Sequence, residues 1–367
     1  MDLLTLFTIA LYPLLISLGI TTFLTYLSIP VANKLGLIDD PKKHKHPGII
    51  HKHPIPRGGG LALYFGVLIS SMFFLPFTGT LFAVFVAALL ALAIGVVDDK
   101  LNAHSKDVSP YFRFLVNILT ALIVVASGVS IKFITNPFGE GIIHLDMINL
   151  LPASWPIVLL LSDIVSVLWL IWIMNMLNWS KGVDGQMPGI VAISAMIIGA
   201  VSILLTPAGQ STSVDATLAF LIAGAALGFL IYNFHPAKIF PGYGATSLYL
   251  LLGVVSILSS AKLATAILVM GIPMIDAIAT IIRRLLSKKS PFQGDKKHLH
   301  HILLKLGYNQ RQIALFYWSI SGILGLLSLT LESKSKFFAI LMVAAVTSGT
   351  LLFLHSVSKN KNEKQTT

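Results

Sequence analysis

Two adjacent aspartates, Asp98 and Asp99, close an apolar run that begins near Leu81. Carboxylates beside lipid are costly, so a pair at the end of a membrane-length segment asks for a chemical explanation. Other polar side chains fall in short clusters. "NMLNWSKGVDGQMPG" (175–189) carries Asn175, Asn178, Lys181 and Asp184, and "HPAKIFPGYGATS" (235–247) carries Lys238. "SPFQGDKKHLHHILLKLG" (290–307) carries His298, His300 and His301; "HKHPIPRGGG" (51–60) carries Arg57; Arg113 follows the aspartate pair. The acids and amides are hard oxygen ligands or a base. Arg57, Arg113, Lys181, Lys238 and the histidines are cations or donors. A phosphate or diphosphate ligand needs such cations and backbone N–H groups, and usually Mg²⁺ held by carboxylate or amide oxygens. Phosphoryl-type transfer asks a protein mainly for positioning and charge stabilisation.

Each cluster also has a plainer reading. The aspartates could mark a membrane interface. Asn175 and Asn178, three apart on one helix face, could cap a helix. "GVDG" could be an ordinary turn and "HLHH" a surface cluster. For His44, His46 and His53 the plain reading, a solvated basic loop, is preferred. Asp163 falls inside an apolar segment and has no evident partner, so it is expected to snorkel or to touch a neighbouring helix.

The elements that must position these residues are membrane helices. Of 367 residues 55% are hydrophobic and 11% charged, against about 25% charged in soluble domains. With no cysteine, disulfides and cysteine chemistry are excluded. Eleven apolar segments lie near 5–28, 61–77, 81–97, 112–130, 156–174, 189–206, 216–233, 246–259, 262–282, 313–331 and 337–356. The first lacks a basic n-region and an A-x-A site, so it reads as a retained helix. Residues 131–155 read as an extended excursion with a turn at "NPFGEG".

The fold expected is therefore an all-α integral membrane protein with about eleven transmembrane helices. Residues 1–356 form a single polytopic domain, and residues 357–367 form a disordered cytoplasmic tail. With the N-terminus outside and the C-terminus cytoplasmic, all 26 Lys and Arg residues except Lys132, Lys262, Lys334 and Lys336 fall inside. The net charge of +11 then faces anionic headgroups or an anionic substrate. The same map gathers every polar cluster on the cytoplasmic face. That suits an enzyme joining a cytosolic substrate to a membrane-embedded one. A transporter would place polar residues and broken helices near mid-bilayer.

Taken in order, these motifs resemble the polyprenyl-phosphate N-acetylhexosamine-1-phosphate transferases, over roughly residues 5–330. The resemblance is closer to the branch that transfers a sugar alone than to the pentapeptide branch, through the long histidine loop. It implies transfer of a sugar 1-phosphate from a UDP-sugar to undecaprenyl or another polyprenyl phosphate, with release of UMP. It implies Mg²⁺, with Mn²⁺ as an alternative, and a first membrane step of a cell-wall or surface-glycan pathway. It places the chain in a bacterial cytoplasmic membrane, multi-pass, with the site on the cytoplasmic face. It gives nucleic acid no part and leaves a homodimer open.

Carried over by position, Asp98 and Asp99 resemble the family's catalytic pair, and Arg113 and Asn117 stand where a Lys and a Gln usually follow it. Asp184 completes the catalytic set. Asn178 and Asp99 match metal contacts. Arg57, Arg113, Asn175, Lys181, Lys238, His298, His300 and His301 match substrate contacts. Pro273, Asp276, Arg283 and Arg284 resemble the segment leading into the histidine loop. Two positions depart from the pattern. Tyr243 stands where an aspartate resembling a principal Mg²⁺ ligand belongs, and Lys181 replaces the first aspartate of D-G-x-D-G. A phenol, with a pKa near 10, is a poor ligand for Mg²⁺. The second reading is therefore a catalytically silent member that binds lipid phosphate or nucleotide, or serves in assembly.

Overall fold

The computed structural model describes residues 3–42, 50–104, 106, 108–151, 160–205, 214–258, 263–290 and 297–366. Among the described residues, the regular structure is helical apart from two small hairpins. The long first helix, α1 (Leu4–Lys34), contains one π turn at Phe7–Leu11. Then follow β1 (Ile38–Asp39), β2 (Ile55–Pro56), α2 (Gly59–Phe74), α3 (Gly79–Asn102) and α4 (Pro110–Ala126). A second hairpin joins β3 (Phe133–Thr135) to β4 (Ile142–His144), where the extended excursion was expected. Next come α5 (Leu161–Trp179), α6 (Gln186–Leu205) and α7 (Val214–Asn233). A 3₁₀ turn (Tyr243–Ala245) runs into α8 (Thr246–Leu258). The chain ends with α9 (Leu263–Val269), α10 (Gly271–Leu286), α11 (Leu299–Leu306), α12 (Gln310–Thr330) and α13 (Ser333–Thr366).

Among the described residues, seven helices are long and apolar enough to cross a membrane, or eight if the bent pair α9 and α10 counts as one span. The chain is thus an all-helical, multi-pass membrane protein. The segments expected at 61–77, 112–130 and 246–259 are the shorter apolar helices α2, α4 and α8. Every residue of α8 from Thr246 to Ile257 is buried. An apolar helix covered all round belongs to the bundle interior and need not match the bilayer's full thickness. The 79° bend between α9 and α10 falls at Gly271 and Pro273. Proline has no N–H for the preceding turn, so α9 cannot run straight on through it.

Burial orders the bundle. The membrane-length windows of α7 and α6 are 72% and 67% buried, those of α1 and α13 only 22% and 11%. α6 and α7 therefore form the centre, and α13 faces the surroundings. α7 is seamed to α1 through Gly224 and Gly228, where a Cβ would run into the carbonyls of Leu14 and Leu18. Such spacing lets two backbones touch inside a membrane. Ser17 adds a hydrogen bond from its hydroxyl to the Leu221 carbonyl at 2.7 Å.

One expectation changes here. Asp163 is not deep in a span: α5 begins at Leu161, so Asp163 lies in its first turn, beside Ser162. An acid there complements the helix dipole. α13 runs on as helical backbone to Thr366, into the stretch expected as a tail. That stretch holds no Gly or Pro to stop the helix, and Lys, Glu and Gln are good helix formers.

Candidate functional site

The aspartate pair ends α3, and both carboxylates are buried, Asp98 at 1% exposure and Asp99 at 0%. Each has its own guanidinium. Arg113, in the first turn of α4, donates through Nη1 to Asp98 Oδ2 at 3.1 Å and Oδ1 at 3.3 Å. The Val108 N–H also donates to Asp98 Oδ1, at 3.1 Å. Arg57 places Nε 3.3 Å from Asp99 Oδ1. Its Nη1 bridges to Asp39 Oδ2 at 2.9 Å and Asn102 Oδ1 at 2.5 Å. The small sheet sets this geometry: Arg57 directly follows β2, while Asp39 ends β1, its antiparallel partner.

The stretch after the "PAKIF" run is pressed against the pair. Gly59 and Gly60 open α2 by donating backbone N–H groups to the carbonyls of Phe240 (3.0 Å) and Pro241 (2.9 Å). A Cβ on Gly60 or on Gly95 of α3 would collide with the Gly244 backbone, so only glycine permits this approach. The Tyr243 N–H then donates to Asp99 Oδ1 at 2.9 Å. Gly242, at φ +65°, faces Asp99 Oδ2 so closely that a Cβ would collide with it. Oδ2 has no hydrogen-bond partner among the described residues, and neither has the buried Asn117 Oδ1.

Around Tyr243 stand two further cations. Its ring lies 4.9 Å from the Arg113 guanidinium and 5.6 Å from Lys181 Nζ, and its hydroxyl accepts from Asn117 Nδ2 at 3.4 Å. Lys181 Nζ donates to Asn178 Oδ1 at 2.9 Å and to the Gly242 carbonyl at 3.0 Å. Asn178 is itself fixed, since Nδ2 donates to the Met174 carbonyl and to Thr246 Oγ1, both at 2.8 Å. Burial brings the Lys181 ammonium down to about 8, helped by Arg57 and opposed by Asp99. Arg57, Asp98, Asp99, Arg113, Asn178 and Lys181 thus form one cluster around Tyr243.

The remaining expected residues bond to other partners. Asp184 is buried, but Oδ2 accepts from His235 Nδ1 at 2.7 Å and from the Ala237 N–H at 3.1 Å. It braces the loop after α7. Lys238, in that loop, is exposed, with Nζ 6.0 Å from the Tyr232 ring. Asn175 turns back on its own helix, donating to the Ile171 carbonyl at 2.8 Å. The histidines form a stack: the rings of His298 and His300 are 5.6 Å apart and nearly parallel, and His301 lies 4.3 Å from His300. Asp276 of α10 holds the stack, accepting from the Leu299 N–H at 3.0 Å and facing His298 Nδ1 at 2.9 Å. The His300 ring packs on Gly182, next to Lys181, which joins the stack to the cluster. Burial pushes the His300 imidazole well below its ordinary range, and His301 and His298 add to this. Residues 291–296 of the histidine loop, and His44 and His46, lie outside the described residues; His53 is exposed.

Asp39, Asn102 and Thr246 were not foreseen. Asn102 had a usable signal, lying three and four residues after the aspartates on the same helix face. Asp39 had none, because its partner, Arg57, comes eighteen residues on, just after β2.

The donor set does not make a resident Mg²⁺ site. Both Asp98 oxygens are used, Asp99 Oδ2 is closed in by Gly242, and Asn178 Oδ1 already holds an ammonium. Among the described residues no three His, Asp or Glu side chains gather at one point.

A buried acidic pair matched by guanidiniums thus lies at the end of α3 in a multi-pass, all-helical membrane protein. The Glycosyl transferase family 4 model matches residues 81–260. The chain is 32% identical to the decaprenyl-phosphate N-acetylglucosaminephosphotransferase of Mycolicibacterium smegmatis, over 83% of this chain and 78% of that one. It is 28% identical to the probable undecaprenyl-phosphate N-acetylglucosaminyl 1-phosphate transferase of Bacillus subtilis, over 90% and 87%. It is 27% identical to the undecaprenyl-phosphate alpha-N-acetylglucosaminyl 1-phosphate transferase of Escherichia coli K12, over 80% and 76%. The chain belongs to glycosyl transferase family 4.

Proposed function

We propose that this chain transfers an N-acetylhexosamine 1-phosphate from a UDP-sugar to undecaprenyl phosphate or another polyprenyl phosphate, releasing UMP. The observation that carries the reading is the gathering of Arg57, Arg113 and Lys181 around the buried pair Asp98 and Asp99. An acceptor phosphate oxygen forms a bond to the phosphorus that bears the sugar. The bond from that phosphorus to the bridging oxygen breaks, and UMP leaves with the electron pair. Three phosphate groups, one from the acceptor and two from the donor, meet at one point, so the cations lower repulsion and align the phosphates. Asp98 and Asp99 fix the guanidiniums. His298, His300 and His301 meet the sugar phosphate, with Asp276 orienting His298. Asp184 and Lys238 shape the neighbouring loop. Positive charge over the donor diphosphate comes either from Mg²⁺ or Mn²⁺, as the resemblance implies, or from the chain's own cations.

In this reading the chain crosses the membrane eleven times, as a single domain. The seven long helices, the bent pair and the three shorter apolar helices among the described residues support that number. The distribution of Lys and Arg supports an outside N-terminus, a cytoplasmic C-terminus and a site on the cytoplasmic face of a bacterial inner membrane.

The test is UMP release from a series of UDP-N-acetylhexosamines by purified protein with undecaprenyl phosphate. Release with at least one of them is expected, and none with any overturns the reading. A silent, phosphate-binding member is the second reading, favoured by Tyr243 in place of an acid. It gains if Tyr243→Asp releases UMP and the parent does not.

A further inference from the structure

The geometry points to Lys181 as the built-in counter-cation for the donor's diphosphate, standing where a divalent ion would otherwise be needed. The inference rests on the transferase reading for the identity of that ligand. Three observations carry it.

The ammonium is held in a fixed place. Its two acceptors, Asn178 Oδ1 and the Gly242 carbonyl, come from different elements, at 2.9 and 3.0 Å. Asn178 cannot swing away, because both its N–H groups are spent on Met174 and Thr246. An ammonium has three donors, and the third finds no acceptor among the described residues.

Its charge is not cancelled by a direct partner. Arg57 and Arg113 are each paired with an aspartate. Both acceptors of Lys181 are neutral, and its closest ring is the neutral phenol of Tyr243. The lysine therefore keeps charge for a ligand, as a compact point charge suited to oxyanions.

Most of the oxygens a divalent ion would need are already engaged, and Asp99 Oδ2, which has no partner among the described residues, is closed in by Gly242. Asn178 Oδ1 and the Gly242 carbonyl hold the lysine, and Asp98 holds Arg113 and the Val108 N–H. A doubly charged cation bound to those oxygens would have to displace Lys181 and sit beside two guanidiniums. Tyr243 and Lys181 thus form one compensating exchange: where carboxylates would gather a metal, an ammonium against a phenol supplies the positive charge directly.

The experiment is titration of purified full-length protein in lipid nanodiscs with UDP-GlcNAc, in excess EDTA and in excess Mg²⁺, with UMP release followed in the same samples. Affinity in EDTA is expected to agree with that in Mg²⁺ within about threefold. Lys181→Gln is expected to weaken binding by about tenfold or more, the loss of a charge-assisted contact. Paramagnetic resonance of added Mn²⁺, without nucleotide, should show no bound ion on the parent chain and a bound ion on Lys181→Asp/Tyr243→Asp. Binding that EDTA abolishes, Mn²⁺ held by the parent chain, or undiminished binding by Lys181→Gln each overturns the inference. UMP release that requires Mg²⁺ or Mn²⁺ keeps the transferase reading and overturns Lys181 as its cation. Binding that survives EDTA with no UMP release in any condition does the reverse. If the variants do not fold, the EDTA comparison on the parent chain still decides.

Discussion

The Lys181 ammonium and the Asn178 amide oxygen are joined by a 2.9 Å hydrogen bond, and the amide is locked by its own two donors. If this contact aims the lysine, Asn178→Ala should weaken UDP-GlcNAc binding about tenfold. Asn178→Asp should weaken it as well, because a carboxylate would cancel the charge that the amide leaves available. Isothermal titration measures both. Unchanged affinity in both variants would remove Asn178 from the site.

Asp99→Asn should abolish most of the activity without unfolding the protein. The amide oxygen can still accept from the Tyr243 N–H, and Arg57 keeps Asp39 at 2.9 Å. What disappears is the negative charge fixing Arg57 from the Asp99 side. A loss of at least about a hundredfold in UMP release is expected, in line with removing one preorganised electrostatic group. Full release by Asp99→Asn would contradict the role given to the pair.

Gly242→Ala should destabilise the fold. The residue sits at φ +65°, and the new methyl would collide with Asp99 Oδ2. Strained backbone of this kind costs about 1–3 kcal/mol, before any displacement of the carboxylate. A thermal melt in nanodiscs is the measurement. A melting temperature equal to the parent's would mean that the loop yields freely.

The histidine stack predicts a pH dependence. Burial lowers the pKa of His300 in the folded protein, so the folded chain binds fewer protons than the unfolded one. Stability is therefore full above the unfolded value of about 6.5 and declines as pH falls from there towards the depressed folded value. Melts at pH 8 and pH 5.5 should differ, with the lower temperature in acid. His300→Gln, which has no such proton to refuse, should narrow the gap. An unchanged gap would assign the acid sensitivity to other groups.

Much of this was readable in the chain itself. Long apolar runs fix helices in lipid because every backbone polar group must be satisfied within the segment. The polar clusters showed as interruptions in those runs, and Asp98 and Asp99 stood out because paired carboxylates there are expensive. The nature of the chemistry, cations and hard oxygens for phosphate, followed from residue types alone. Which of those residues meet did not. Asn175 and Asn178 are equally placed on α5 by spacing, yet one bonds its own helix and the other holds Lys181. Asp184 looked like a third catalytic acid and is tied to His235 and Ala237. Arg57 reaches Asp99 only because β1 and β2 pair and the loop before Tyr243 packs on α2 and α3. Periodicity speaks for neighbours within one helix, a few ångströms apart along the chain. Contacts between residues far apart in sequence depend on helix packing, which here turns on single glycines that let two backbones touch. Tertiary structure alone set Lys181 against Tyr243, and so turned two separate departures from a family pattern into one arrangement of charge.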